Sequence, residues 1–186
     1  MPILFGVSVW NELPEQMAIH FDINGEPDNF AGKTFVVFGL PVIMFALQIY
    51  CCVFNDIVSH KKGERKKLET VTKCITPYIT IIVYVITIGY SLGWNLNIRK
   101  IALFLVGSIF IVTGNYLPKL DEIKHFNVDT EKARKINRFI GYQTIILGIL
   151  FLIGIFLPPA FSVFCLIFMI PYFIVGIVYA IIVSKK

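Results

Sequence analysis

The sequence predicts an all-α integral membrane protein, a bundle of five transmembrane helices, and three observations carry that expectation. Hydrophobic residues fill 56% of the 186 positions and charged residues only 16%, which is more apolar side chain than a soluble domain of this length can bury. The apolar residues gather into tracts long enough to cross a hydrocarbon core, which takes roughly 17 to 25 helical residues. The basic residues cluster in alternate gaps between those tracts, the pattern by which short cytoplasmic loops orient a membrane protein.

The elements follow in order. "MPILFGVSVW" is apolar but only about half as long as a crossing helix, so it reads either as an interfacial segment or as the tail of a span that begins upstream, which would make six spans. It has neither the basic region nor the small-residue cleavage site of a signal peptide. Residues 1–33 then comprise this segment and a polar loop, "LPEQMAIHFDINGEPDNFAGK". Within the loop, Ala18 to Ile23 reads as an extended piece, with Met17, Ile19, Phe21 and Ile23 on one face and Ala18, His20 and Asp22 on the other. Asn24-Gly25 marks a turn, because both residues tolerate positive φ.

Residues 34–117 hold three spans, Thr34 to Asn55, Ile75 to Gly93 and Arg99 to Leu117, with a basic loop at 56–74. A second basic loop fills 118–139. In 140–186 the apolar tract Ile140 to Val183 is too long for one crossing, and Leu157-Pro158-Pro159 divides it into a two-helix hairpin because proline donates no backbone hydrogen bond.

Charge sets the expected direction. Lys61, Lys62, Arg65, Lys66, Lys67 and Lys73 follow the first span, and Lys119, Lys124, Lys132, Arg134, Lys135 and Arg138 follow the third. With Lys185-Lys186 at the end, all fall on one side when the spans alternate. That side is expected to be the cytoplasm of a plasma-membrane protein, with the C-terminus inside and residues 1–33 outside. The net charge of +5 thereby finds its role in orientation and in contact with membrane lipids. Neither basic run is interleaved with aromatics, so direct nucleic-acid binding is not expected. A docking surface for a cytoplasmic protein stays open. The oligomeric state is not legible.

Several smaller features have bland readings. Cys51, Cys52, Cys74 and Cys165 form no CxxC and read as packing residues, with acylation of the first three as the alternative. "GYSLG", Gly89 to Gly93, has a spacing that lets helices approach, either inside the bundle or between two copies. Pro41 and Pro171 are expected to kink their spans. No Asp, Glu, Lys, Arg or His lies deep in a span, where ion relays need them, which argues against an ion-coupled pump.

The polar loop carries the candidate chemistry. His20, Asp22, Glu26 and Asp28 could ligate a cation, and Asp22 to Asp28 resembles a calcium loop in outline. Its glycine comes too early, a proline interrupts, and Lys33 stands where the closing glutamate belongs. Neither a metal nor another cofactor is therefore expected. A histidine beside acids also suits acid–base work, but no nucleophile or second histidine joins it, since His60 and His125 fall on the opposite side. The expectation is that the protein is not an enzyme.

The loop also resembles the outward-facing signature of membrane proteins related to the bacterial Sdp immunity protein: Leu-Pro, then His-Phe, a Gly-x-x-Asp turn, and Lys before a transmembrane helix. The matching positions are Leu13, Pro14, His20, Phe21, Gly25, Asp28 and Lys33. A second match, "GNYLPK", covers Gly114, Asn115, Tyr116, Leu117, Pro118 and Lys119 at the inner end of the third span. Those six also suit the end of a transmembrane helix. Beyond them the family's Asn-x-x-x-Gly-x-Arg-Thr-x-Trp stretch is replaced by "LDEIKHFNVDTEKARKINRFIGY".

The resemblance implies an immunity and sensor protein. It would recognise an extracellular peptide toxin through its outer loop, protect its host, and in some relatives signal to a cytoplasmic regulatory protein. The competing class is a small metal-assisted membrane enzyme or a lipid or peptide translocator.

Overall fold

The computed structural model describes residues 2–58, 64–120 and 128–185. Five helices are long and apolar enough to cross a membrane: Phe35–Val53, Lys73–Ser91, Ile98–Lys119, Thr130–Gly154 and Pro159–Lys185. The expected class holds, and the helices fit a multi-pass membrane protein.

In chain order the elements are α1 (Pro2–Ser8), a 3-10 turn (Trp10–Glu12), β1 (Gln16–Phe21), β2 (Pro27–Gly32), a π turn (Phe35–Gly39), α2 (Leu40–Val58), α3 (Glu64–Ser91), α4 (Ile98–Tyr116), a 3-10 turn (Leu117–Lys119), α5 (Thr130–Gly154) and α6 (Pro159–Lys185). Of the charged residues assigned to loops, Lys61, Lys62, Lys124 and Lys186 lie outside the described residues, as do His60 and His125.

Helix boundaries depart from the sequence expectation at two places. α3 begins at Glu64 and α5 at Thr130, so much of the expected loops 56–74 and 118–139 is helical. Hydropathy marks only the part of a helix that suits hydrocarbon. The polar start of α5 is secured instead by capping: the Asp129 side chain accepts the Lys132 N–H at 2.8 Å, and Glu131 pairs with Lys135 at 2.7 Å across one helical turn.

The chain divides into two compact units, residues 1–60 with 72–99, and 61–71 with 100–186. The first unit has a core of Leu13, Met17, Val36, Val37, Tyr84 and Ile88. α1 packs into it through Gly6, where a Cβ would fall on the Tyr84 hydroxyl. That hydroxyl joins three helices: its oxygen accepts the Gly6 N–H and it donates to the Val37 carbonyl at 3.2 Å.

Val37 needs the donor because Pro41, one turn on, has no N–H to offer it. A mirror arrangement operates at Pro77, which sits inside α3 and leaves the Lys73 carbonyl without its helical partner. Gln48 of α2 donates to that carbonyl at 2.9 Å. Each proline thus opens a backbone acceptor on one helix that a side chain of the opposite helix fills, as buried backbone in a membrane requires.

At the other end of α3, Gly93 adopts φ +80. Its N–H bonds the Tyr90 carbonyl at 3.0 Å and the Trp94 N–H bonds the Gly89 carbonyl at 2.9 Å, a Schellman helix end. The Trp94 ring folds back over Gly89, leaving no room for a Cβ. "GYSLG" is therefore a helix terminator in this unit rather than a seam between helices.

The second unit holds the close helix approach. Gly107 and Gly114 of α4 face Gly148 and Gly141 of α5; a Cβ on Gly107 would lie 2.9 Å from the Gly148 carbonyl oxygen, and one on Gly114 2.7 Å from that of Gly141. Both pairs are spaced by seven residues, two helical turns, so they share one face. α4, α5 and α6 share a core of Leu103, Leu147, Phe151 and Cys165, and Thr144 Oγ1 of α5 lies 2.6 Å from the Tyr172 hydroxyl of α6. α6 starts directly at Pro159, a position where the missing N–H costs nothing.

Candidate functional site

The polar loop folds as a two-stranded antiparallel hairpin, and its irregularities place its chemistry. Gln16 pairs with Gly32, Met17 with Ala31 and Ala18 with Phe30; the register then passes to His20 with Asn29, and finally to Phe21 with Pro27. Ile19 is an extra residue on β1 and Asp28 an extra residue on β2. The two bulges lie next to each other and the second restores the register that the first displaced.

The expected alternation fails here: Ala18, which precedes both bulges, is buried beside Met17, and Ile19, the inserted residue, is exposed; the bulges turn only the side chains that follow them. They also bring His20 Nδ1 to 2.5 Å from Asp28 Oδ1, with the two side chains 67% and 47% exposed.

The remaining signature residues have internal tasks. Leu13 is buried in the core. Lys33 is a clasp: Nζ lies 2.9 Å from Glu15 Oε1, donates to the Leu13 carbonyl at 3.4 Å and sits 4.8 Å from the centre of the Trp10 ring. Phe21 meets Tyr90 edge-on, with ring centres 4.9 Å apart. Gly25 turns at φ +89 against the start of α4, where an added Cβ would lie 3.2 Å from the Arg99 amide nitrogen. Pro14 is exposed.

Asp22 forms the turn and does not face a ligand. Its Oδ1 accepts the Asn24 and Glu26 N–H groups at 2.8 and 2.9 Å, and its Oδ2 accepts Asn24 Nδ2 at 3.0 Å. These bonds, the Glu26 N–H foremost, hold its carboxyl below the usual carboxylate range. Among the described residues no three histidine, cysteine or carboxylate side chains gather where they could hold a metal ion.

The "GNYLPK" residues divide in a similar way. Gly114 packs on the Gly141 backbone and Pro118 covers Gly141 from the adjoining turn. Lys119 Nζ lies 4.6 Å from the centre of the Tyr116 ring, and the Leu117 carbonyl accepts the Leu120 N–H at 3.1 Å. Asn137 of α5 donates to the Leu120 carbonyl at 2.9 Å, tying the helix end down. Asn115 is exposed. An apolar groove of about 470 Å³ among α1, α2 and α3, lined in part by Ile3, Pro41, Phe45 and Pro77, contains no signature residue.

Residue spacing could not disclose Trp10, Tyr90 and Asn137, the partners that engage Lys33, Phe21 and Leu120, because they come from distant stretches of chain. Tyr84 and Pro77 were equally silent. The seven-residue glycine spacing was the one legible signal among the missed features.

Residues 1–45, which run through α1 and the hairpin into α2, match the model of a domain of unknown function, DUF1648. No curated protein and no solved structure matches the chain.

Proposed function

We propose that the hairpin faces the outside of the plasma membrane, recognises an extracellular peptide toxin, and makes the protein an immunity factor whose C-terminus lies in the cytoplasm. Signalling to a cytoplasmic regulatory protein would leave from the Gly114 to Lys119 helix end. The observation that supports this reading is the exposed His20–Asp28 pair, presented by two adjacent bulges. An exposed pair adds only about 0–1 kcal/mol to stability, so folding alone gives little reason to build it, whereas bulges characteristically re-aim side chains at functional positions. The other signature residues with packing roles form the frame that holds the pair outward.

The test is survival. A sensitive bacterium expressing wild type or the His20→Ala/Asp28→Ala variant, matched for membrane abundance, is challenged with supernatants of peptide-producing bacteria. Wild type is expected to protect and the variant to lose protection while keeping its thermal stability. Equal protection by both would remove the pair from function, and no protection by wild type would remove immunity itself.

A further inference from the structure

We infer that the outer edge of β2 at Phe30 and Gly32 is a docking edge for an extended basic peptide segment, which adds as a third strand. This rests on the peptide-recognition reading above and names how the peptide is held. Among the described residues β1 and β2 pair only with each other. The Lys33 N–H bonds the Glu15 carbonyl at 3.0 Å, which sets the phase of the ladder. Hydrogen-bonded pairs alternate with non-bonded ones, so Met17 and Ala31 exchange bonds while Ala18/Phe30 and Gln16/Gly32 do not. The N–H and C=O groups of Phe30 and the N–H of Gly32 therefore point away from β1, while the Gly32 carbonyl opens the helix that begins at Lys33.

A direct sign of this is the Phe30 N–H, which bonds the side-chain oxygen of its neighbour Asn29 at 2.9 Å. An incoming carbonyl would replace that oxygen with no donor left unpaired.

Access differs between the two edges. Met17 and Ala18 of β1 are buried, whereas the Phe30 side chain is 51% exposed and Asn29 and Gly32 are exposed with it. Natural sheet edges are usually guarded by lysine, proline or a bulge. Here Pro27 and the Asp28 bulge guard the turn end, and nothing of the kind stands between Asn29 and Gly32. Strand addition supplies main-chain hydrogen bonds whatever the sequence, and side chains then select the partner. The exposed carboxylate of Glu26 and that of Asp28, shared with His20, stand at the turn end of the edge, which favours a basic strand, and Phe30 offers it one apolar contact.

The experiment uses the full chain in phosphatidylcholine nanodiscs at low salt. The probe is fluorescein-labelled Lys-Val-Lys-Val-Lys-Val-Lys, read by anisotropy. Two control probes carry N-methylated valines or glutamate in place of lysine, and one protein variant is Phe30→Pro, a change tolerated where no ladder bond is made. Binding is expected, and each of the three changes is expected to weaken it by about tenfold or more. Equal affinity for the N-methylated probe, equal affinity for the glutamate probe, or no binding of the lysine probe would each overturn the inference. The N-methylated probe tests wild type, so misfolding of Phe30→Pro leaves the result decisive.

The survival assay separates the two readings. Protection lost in His20→Ala/Asp28→Ala but kept in a stably folded Phe30→Pro would preserve peptide recognition and overturn the strand-addition mode. Protection kept in the His20/Asp28 variant would overturn the role of that pair and leave the edge to be judged by anisotropy.

Discussion

Single residues in the hairpin show why residue type is a poor guide to role. Asp22 and Asp28 are two carboxylates in one loop, yet Asp22 turns both oxygens inward on the turn while Asp28 meets His20 at the surface. The difference has a consequence in pH. Folding lowers the Asp22 pKa, so the ionised form stabilises the folded turn above its unfolded pKa of about 3.9, and that contribution is lost as the pH falls through the lower folded value. Amide exchange in the 22–26 turn, corrected for intrinsic rates, is expected to be protected near neutral pH and to lose protection below about pH 4. Protection that persists undiminished to about pH 2 would contradict this coupling. Lys33 makes the same point from the other side: it matches a signature position, and its Nζ meets Glu15, Leu13 and Trp10, so it holds the loop to the helix.

Between elements, glycine and proline do different work in the two units. In the first, prolines open carbonyls at Val37 and Lys73 that Tyr84 and Gln48 fill. In the second, glycines remove side chains so that α4 and α5 touch through backbone. Gly148→Ala would place a Cβ 2.8 Å from the Gly107 carbonyl oxygen, and backbone cannot yield as a flexible side chain does. A loss of about 1–3 kcal/mol is expected in thermal unfolding of the full chain in detergent. Gly176→Ala on α6 meets nothing closer than 3.8 Å and should stay within about 0.5 kcal/mol of wild type. Equal losses at both positions would mean that helix propensity, and not the close approach, sets the effect. The spacing of these glycines is visible in the sequence, but which helix each faces is not, because an apolar helix has no polar side to mark its outward face.

At the scale of the whole molecule, the proposed orientation has its own test. In a cysteine-free background, Asn29→Cys is expected to react with an impermeant maleimide applied from outside intact cells, and Glu131→Cys only after the membrane is opened. The reverse pattern would invert the proposed topology and with it the outward face of the hairpin. The sequence by itself determined the class and the number of spans, because burial in hydrocarbon demands long apolar tracts and confines charge to their ends. It also disclosed the turn at Asn24-Gly25 and the break at Pro158-Pro159, which are local effects of backbone freedom and of a missing N–H. Tertiary structure alone decided the rest. The carbonyls that Tyr84 and Gln48 fill and the backbone contact at Gly107 and Gly148 join residues far apart in the chain, and the paired bulges that set His20 against Asp28 depend on how the two strands of the hairpin register. Such pairings arise from packing geometry, which leaves no mark on the order of residues within any one segment.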